Sequence, residues 1–403
     1  MTVLQIKHNL REIMITIEML PAAHGDALWI EYGSGRNMRR ILIDGGPARS
    51  YEMGLRRRMA MLPEHQRKFE LVVVTHIDAD HIDGSLILLQ EKKPGGLNFE
   101  TKEFWFNGWA QLPKLDTATY APLQGEFLGG LLDKDRELKS VWNKRFKNGP
   151  VMVGDKLSPP IELEGGALIT ILGPTASELK RLRARWQSAI RDFTPGDVNE
   201  ALRRLKERRD YRPPATPAVF AVPQYGSDRT PANGSSISFL LEYRDVSILL
   251  PGDAHASTLA SSLAQLAAQK GVQRLKIDAV KLPHHGSMGN VSSEWLQLVD
   301  CQRWLISTNG AIFGHPDIET AQLIAQLCRD EQRRKKPTFF CNYRSDTTAL
   351  LEGSPYWSVN FPKNGALQLP VKASASSKKK RKPSKTSRSS KKRPATKTRK
   401  ARR

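Results

Sequence analysis

Four side chains of metal-ligating type crowd into six positions of this chain, directly after an apolar, β-branched run: His76, Asp78, Asp80 and His81 follow Leu71-Val72-Val73-Val74. Residues 69–74 read as a strand buried on both faces. The run that follows, as far as Gly84, reads as the loop where that strand leaves its sheet, with a helix restarting over 85–90. Imidazole and carboxylate are both good ligands for Zn²⁺ or Mn²⁺. A loop with ligands spaced by two, and His81 adjoining the last, can turn some toward one ion and the rest toward a second. Such a run needs partners to complete a shell, so the fold has to bring other strand ends to it.

Three further strand-like runs end in candidate partners. Residues 40–43 stop at Asp44-Gly45-Gly46, residues 246–250 at Pro251-Gly252-Asp253, and residues 277–282 at Pro283-His284-His285-Gly286-Ser287. Asp253 has two carboxylate oxygens and can bridge two ions about 3.5–4 Å apart. Each partner also has a plainer reading. Asp44 can cap a turn before its two glycines, and the His284-His285 pair can belong to a loop held by imidazole hydrogen bonds. Early strands are expected over 13–19, 27–32 and 103–106, helices over 49–62 and 111–150, and a strand over 168–172. After 250 we expect helices over 257–269, 293–299 and 317–328, a strand over 303–307, and closing strands at 338–342 and 347–350. Two strand-rich halves, each sending helices over a sheet, predict an α/β protein built as an αββα sandwich. Between them lies a charged helical insertion, 177–217, closed by Arg212-Pro213-Pro214-Ala215-Thr216-Pro217. It reads either as a solvated hairpin or as a lid or basic wall beside the site.

Charge is unevenly placed. The 403 residues carry 63 Lys and Arg against 41 Asp and Glu, a net +22, yet 16 of the basic residues fall between Lys372 and Arg403, with no acid among them. That leaves about +6 on a body, 1–370, long enough for one large enzyme domain with insertions. The tail, 371–403, is Lys, Arg, Ser, Thr, Ala and Pro, which cannot bury enough apolar surface to order itself. It offers no aromatic platform, so its expected partner is nucleic acid, bound without regard to sequence. Three cysteines cannot make a disulfide framework. No apolar run approaches the ~20 residues of a bilayer-spanning helix. With no export signal in the first residues, a cytoplasmic location is expected.

The ordered pattern of Asp44, His76-Ile77-Asp78-Ala79-Asp80-His81, Asp253 and His284 resembles the metallo-β-lactamase-fold hydrolases, over roughly residues 13–342. It departs from their HxHxDH signature in having Asp78 at the second histidine. His24-Gly25-Asp26-Ala27, Leu42-Ile43-Asp44-Gly45-Gly46, Asn233-Gly234-Ser235-Ser236, Lys281-Leu282-Pro283-His284-His285-Gly286-Ser287 and Gly314-His315-Pro316 look most like the soluble hydrolase domain of bacterial competence DNA-uptake channel proteins. The resemblance implies one or two ions, Zn²⁺ or Mn²⁺, held by His76, Asp78, Asp80, His81, Asp253 and His284. Asp80, His81, Asp253 and His284 would hold the principal ion. His76 and Asp78 would hold the other, with Asp253 bridging. No histidine lies between His81 and His255, where the family often places another ligand, so the first of these sites is oxygen-rich.

The resemblance further implies a catalytic set of Asp80, Asp44, His315 and Lys281, with His24, Asp26, Asn233, Ser235, Ser236 and His285 against the substrate or behind the ligands. Alternatives stay open for several. Asn233, Ser235 and Ser236 either donate to a phosphate or form a tight turn. Lys281 either counters a phosphate or ends a strand. His285 and His315 either complete the shell or support it. The leading expectation is a phosphodiesterase cutting DNA or RNA through a metal-bound hydroxide. The alternatives are a hydrolase of a small ester, lactone, amide or cyclic nucleotide with the tail only localising it, and a non-catalytic nucleic-acid-binding protein on a degenerate scaffold.

Overall fold

The structure is a computed structural model and describes residues 15–113, 123–189, 194–207, 226–329, 336–362 and 366–371. The tail from 372, and the part of the expected insertion from 208 to 217, lie outside the described residues.

Besides two short two-stranded pairs, Lys68–Phe69 with Glu100–Thr101 and Leu275–Lys276 with Val299–Asp300, five strands open the chain: β1 (Ile15–Met19), β2 (Leu28–Tyr32), β3 (Arg39–Ile43), β4 (Leu71–Val73) and β5 (Phe104–Trp105). Eight follow: β6 (Ile161–Leu163), β7 (Ala167–Gly173), β8 (Ser238–Tyr243), β9 (Val246–Leu250), β10 (Ala279–Lys281), β11 (Arg303–Ile306), β12 (Thr338–Cys341) and β13 (Ser358–Asn360). A last strand, β14 (Leu367–Val371), returns to the first sheet, whose order is β14-β1-β2-β3-β4-β5. The second sheet runs β13-β12-β11-β10-β9-β8-β7-β6. In both, one part is antiparallel and the other parallel: β3–β4–β5 in the first, β9 through β13 in the second.

Alternation along the strands assigns the layers. Ile15, Ile17 and Met19 of β1, Leu28 and Ile30 of β2, and Leu71 and Val73 of β4 share one core with Ile248 and Leu250 of β9 and Phe239 and Leu241 of β8. That core lies between the sheets. The intervening Trp29, Leu42 and Val72 face a different core. There they meet α1 (Ala79–Glu91), α2 (Leu123–Lys134), α3 (Ala176–Ala189) and α4 (Val198–Glu207) through Ile82, Leu86, Phe127, Leu182 and Leu205. Leu249, Val280 and Trp304 of the second sheet pack instead on α5 (Ala256–Gln269) and α6 (Ile318–Cys328) through Leu263 and Ile324. Period-two strands with apolar residues on both faces require cover on both sides, and the αββα order follows.

Several expectations are corrected. Residues 347–350 are not a strand: Asp346–Ala349 is a helical turn, because Ser345 and Thr348 form a reciprocal capping box. Residues 49–62 are helical as expected as far as Ala60, but as a 3₁₀ turn, a π-helical stretch (Glu52–Arg56) and an α-helical turn (Arg57–Ala60) in succession rather than one regular helix. Neither β13 nor β14 was expected, yet β14 pairs five residues with β1. As far as it is described, the charged hairpin packs into the helical layer rather than standing in solvent. Leu179, Leu182, Trp186, Ala201 and Leu205 are buried in the helical layer, and Glu126 accepts hydrogen bonds from Trp186 Nε1 (2.8 Å) and the Gly196 amide (2.9 Å). Its charges occupy the opposite face, which is why composition alone reads it as solvated.

Candidate metal centre

The ligand run divides between a strand end and a helix start. His76 leaves β4, while Asp80 and His81 sit in the first turn of α1, which begins at Ala79. The expected loop is therefore short. Asp78 occupies the position before the helix but makes no side-chain cap; its carboxylate, 44% exposed, lies 3.7 Å from His76 Nε2. The start of α1 is pinned against the loop after β3. The Gly45 amide donates to His81 O and the Gly84 amide to Gly46 O, both at 2.8 Å. A Cβ on Gly84 would stand 2.0 Å from Gly45 O, so only glycine admits this approach.

From the second sheet, Asp253 follows β9 and His284-His285 follow β10. Their side chains meet the first group around one atom, Asp253 Oδ2. It lies 3.3 Å from His81 Nε2, 3.8 Å from His285 Nε2, and 3.9 Å from the Nε2 of both His76 and His284. His285 Nε2 also lies 3.3 Å from Asp80 Oδ2. The Nε2 atoms of His76, His81 and His285 are buried and have no hydrogen-bond partner.

The outer nitrogens explain why the inner ones point that way. His81 Nδ1 is 2.8 Å from Asp44 Oδ2, and His285 Nδ1 is 2.8 Å from Ser307 O. His284 Nδ1 is 2.8 Å from Asn290 Oδ1, whose amide orientation is fixed because Nδ2 donates to Asp228 Oδ2, Asp253 O and Ala254 O. Carboxylate, carbonyl and amide oxygens here only accept, so each Nδ1 carries a proton and each ring turns its Nε2 inward. His76 Nδ1 meets two hydroxyls, Thr75 Oγ1 at 3.0 Å and Ser236 Oγ at 3.3 Å.

Electrostatics are those of a site short of positive charge. Burial, then the neighbouring His81, brings His76 down to about 3. Burial alone would raise Asp80 and Asp253, but the imidazoles, His81 foremost, outweigh it and hold both below the ordinary carboxylate range. The same carboxylates overcome burial at His81 and His285, lifting His81 well above its usual value and His285 to about 9. Protons are thus drawn to where a cation fits.

Two groups of three ligands lie close enough to share an ion: His76, His81 and Asp253, and Asp80, His81 and His285, with ligand atoms within 4.8 Å in each. One Nε2 lone pair cannot serve two ions, so His81 belongs to one group only, whereas Asp253 can be shared. Every residue expected in the shell is brought to this place, but the order within the histidine pair differs. His285, expected beside the shell, is the one against Asp80. His284 stays 21% exposed and approaches only Asp253 among the ligands' carboxylates. Both residues adopt left-handed backbone, φ 45° and 54°, which breaks the alternation that would tell inward from outward.

Other expected residues act behind the ligands. Asp44 accepts from the Thr75 amide and hydroxyl, both at 2.7 Å, as well as from His81, so it orients a ligand. Lys281 does not face a substrate: it is buried, 2.7 Å from Asp26 Oδ2, and donates to Leu282 O, because alternation along β10 turns it inward. Asp26 also lies 3.4 Å from His285 Nδ1, and its amide donates to Asp80 O. Ser236 is fully buried and accepts from the Asp253 amide at 3.1 Å, and Ser235 donates to Ala232 O, so neither is open to a phosphate. Asn233 is buried against Asp228 at 2.7 Å. His24 accepts from Arg49 at 2.7 Å, and His315 pairs with Asp317 at 3.2 Å. The sequence reading missed Thr75, Asp228, Asn290 and Ser307. Only Thr75, a hydroxyl beside the first ligand, carried a local signal.

No family model and no curated protein sequence matches the chain. Among solved structures it is similar to CmlA, a diiron β-hydroxylase from Streptomyces venezuelae, at 12% identity and TM-score 0.39, covering 88% of this chain and 54% of that one. It is similar to the metallo-β-lactamase-fold protein YhfI from Bacillus subtilis at 9% identity and TM-score 0.34, covering 88% and 99%. It is also similar to a diphosphatase from the PhnP family at 12% identity and TM-score 0.34, covering 89% and 100%. Nothing in these comparisons links the chain to competence DNA-uptake proteins. The αββα layering, seen in the chain's own sheets and cores, is similar to that of metallo-β-lactamase-fold proteins.

Proposed function

We propose that the chain is a metal-dependent hydrolase that cleaves phosphodiester bonds of DNA or RNA. One observation carries the metal: three buried, partnerless Nε2 atoms ring a single carboxylate oxygen. Leaving so many buried acceptors unpaired is costly unless a cation joins them. His81, Asp80, His285 and one oxygen of Asp253 would hold one divalent ion, Zn²⁺ or Mn²⁺. His76 and Asp78 would hold a second, sharing Asp253, with His284 at the rim. Bound there, such an ion supplies Lewis-acid activation of water and neutralises charge on a phosphoryl group.

The chain's own residues do the rest. Asp44, Ser307 and Asn290 keep three imidazoles in the Nδ1–H form, so their lone pairs stay inward. Ser236 and Thr75 hold His76 and Asp253 in place. Asp78, the most open carboxylate of the group, is the one placed to exchange a proton with solvent. The basic tail supports a polyanionic substrate, since its positive charges displace counterions from a phosphate backbone.

The test is purified full-length protein with Mn²⁺ or Zn²⁺ on single-stranded DNA, double-stranded DNA and RNA, beside an Asp80→Ala, His81→Ala double variant. Wild type is expected to cut and to carry metal by elemental analysis, and the variant to lose both. Equal cleavage by the two proteins overturns the proposal. Turnover of small esters or cyclic nucleotides without polynucleotide cleavage moves the assignment to the small-substrate hydrolase.

A further inference from the structure

The loop that leaves β11 turns Ser307 inward to His285 and Phe313 outward. Phe313 is 45% exposed, yet it is no isolated surface ring. Its centroid lies 5.7 Å from His24, 6.3 Å from His284 and 6.3 Å from His315, the last nearly parallel with 25° between planes. His284 is the link to the centre, since its Nε2 is 3.9 Å from Asp253 Oδ2. A single imidazole therefore separates the exposed phenyl ring from the ligand cluster.

The loop is held, so the ring's presentation is built in. The Asn309 amide donates to Ala23 O at 2.8 Å, Thr308 N to Asn342 Oδ1 at 3.0 Å, and Gly314 N to Gly310 O at 3.0 Å. Gly310, at φ +68°, packs so tightly that a Cβ would stand 1.9 Å from Thr347 Oγ1. On the same rim the exposed Arg49 donates to His24 Nδ1. An imidazole that accepts through Nδ1 from a guanidinium is neutral. Among the described residues this partner therefore leaves the positive charge of Arg49 uncancelled. The cation, the aromatic ring and the buried ligand cluster are thus linked in succession through His24 and His284.

We propose that Phe313 is a stacking platform for a nucleobase of the substrate, seating it beside the centre while Arg49 takes a neighbouring phosphate. This rests on the phosphodiesterase reading and narrows it to substrates carrying an unpaired base. A phenyl face stacks on any base, so the platform selects single strands without selecting sequence. A duplex, whose bases are already stacked, cannot use it.

The test uses a single-stranded oligonucleotide bearing 2-aminopurine, titrated into full-length protein in an Asp253→Asn background that prevents turnover. Stacking is expected to quench the fluorescence. Phe313→Ala should abolish the quench and weaken binding by about tenfold, and Phe313→Trp should restore both. In the active protein with Mn²⁺, Phe313→Ala should raise KM for the oligonucleotide by a similar factor and leave kcat unchanged, with no effect on an abasic oligonucleotide of equal length. A quench that is absent in the parent or unchanged by Phe313→Ala overturns the platform, as does an equal KM effect on the abasic strand. Cleavage that ignores Phe313 would remove the platform and keep the phosphodiesterase. A Phe313-dependent quench without any cleavage by the active protein would do the reverse.

Discussion

At the scale of single residues, three of the four imidazoles at this centre are oriented by an acceptor on the far side of the ring. Asp44, Ser307 and Asn290 come from three different loops and do the same work. The sequence shows which residue types are present, but not these second contacts, because they depend on loops folding back. Lys281 is the sharpest case. From sequence it reads either as a counter-charge to a phosphate or as an ordinary strand-end lysine, whereas its register on β10 buries it between the sheets against Asp26. Burial would raise Asp26, yet Lys281 and then His285 hold it below its ordinary range. Removing one partner of such a pair strands the other charge. Lys281→Met is therefore expected to lose about 3–5 kcal/mol in urea unfolding, with Asp26→Asn, Lys281→Met regaining part of that loss. A single variant as stable as wild type would show that the pair contributes nothing.

At the scale of elements, the strands carrying the ligands were legible because they are apolar on both faces and stop abruptly at polar residues. Val72 and Val73 in β4 and the run Val246–Leu250 in β9 show this. The helix holding Asp80 and His81 was legible as to existence but not as to its start, since Asp78 gives no side-chain cap to mark it. For helices α3 and α4 composition leaves a solvated hairpin and a lid or basic wall both open, because their charged residues dominate it, while the five apolar residues that anchor them are spread at helical spacing. The contact of α1 with the loop after β3 makes a prediction at this scale. Gly84→Ala inserts a methyl against Gly45 O and must push α1 off that loop. The expected result is destabilisation of about 1–3 kcal/mol together with weaker metal binding, read by thermal melting and by metal titration. Unchanged values for both would mean that the two elements slide apart freely.

At the scale of the whole molecule, the αββα order follows from alternation in both sheets, and it is what allows strand ends nearly two hundred residues apart in sequence to bring His81, His285 and Asp253 together. The tail and the body are expected to separate in function. A chain ending at Val371 retains β14 and should melt at the same temperature as the full chain, while losing the steep salt dependence proposed for nucleic-acid binding by its 16 basic residues. A fall in melting temperature, or an unchanged salt slope, would contradict this. The pairing of β14 with β1 has one more consequence. Ile15 stands opposite Val371, so the two ends of the described body are neighbours. The order in which the elements follow one another across this junction is then not a requirement of the architecture. A short peptide joining 371 to 15, with the chain reopened at the exposed turn between Gly271 and Val272, yields a circular permutant that keeps every strand neighbour and moves the cationic appendage's attachment point at will.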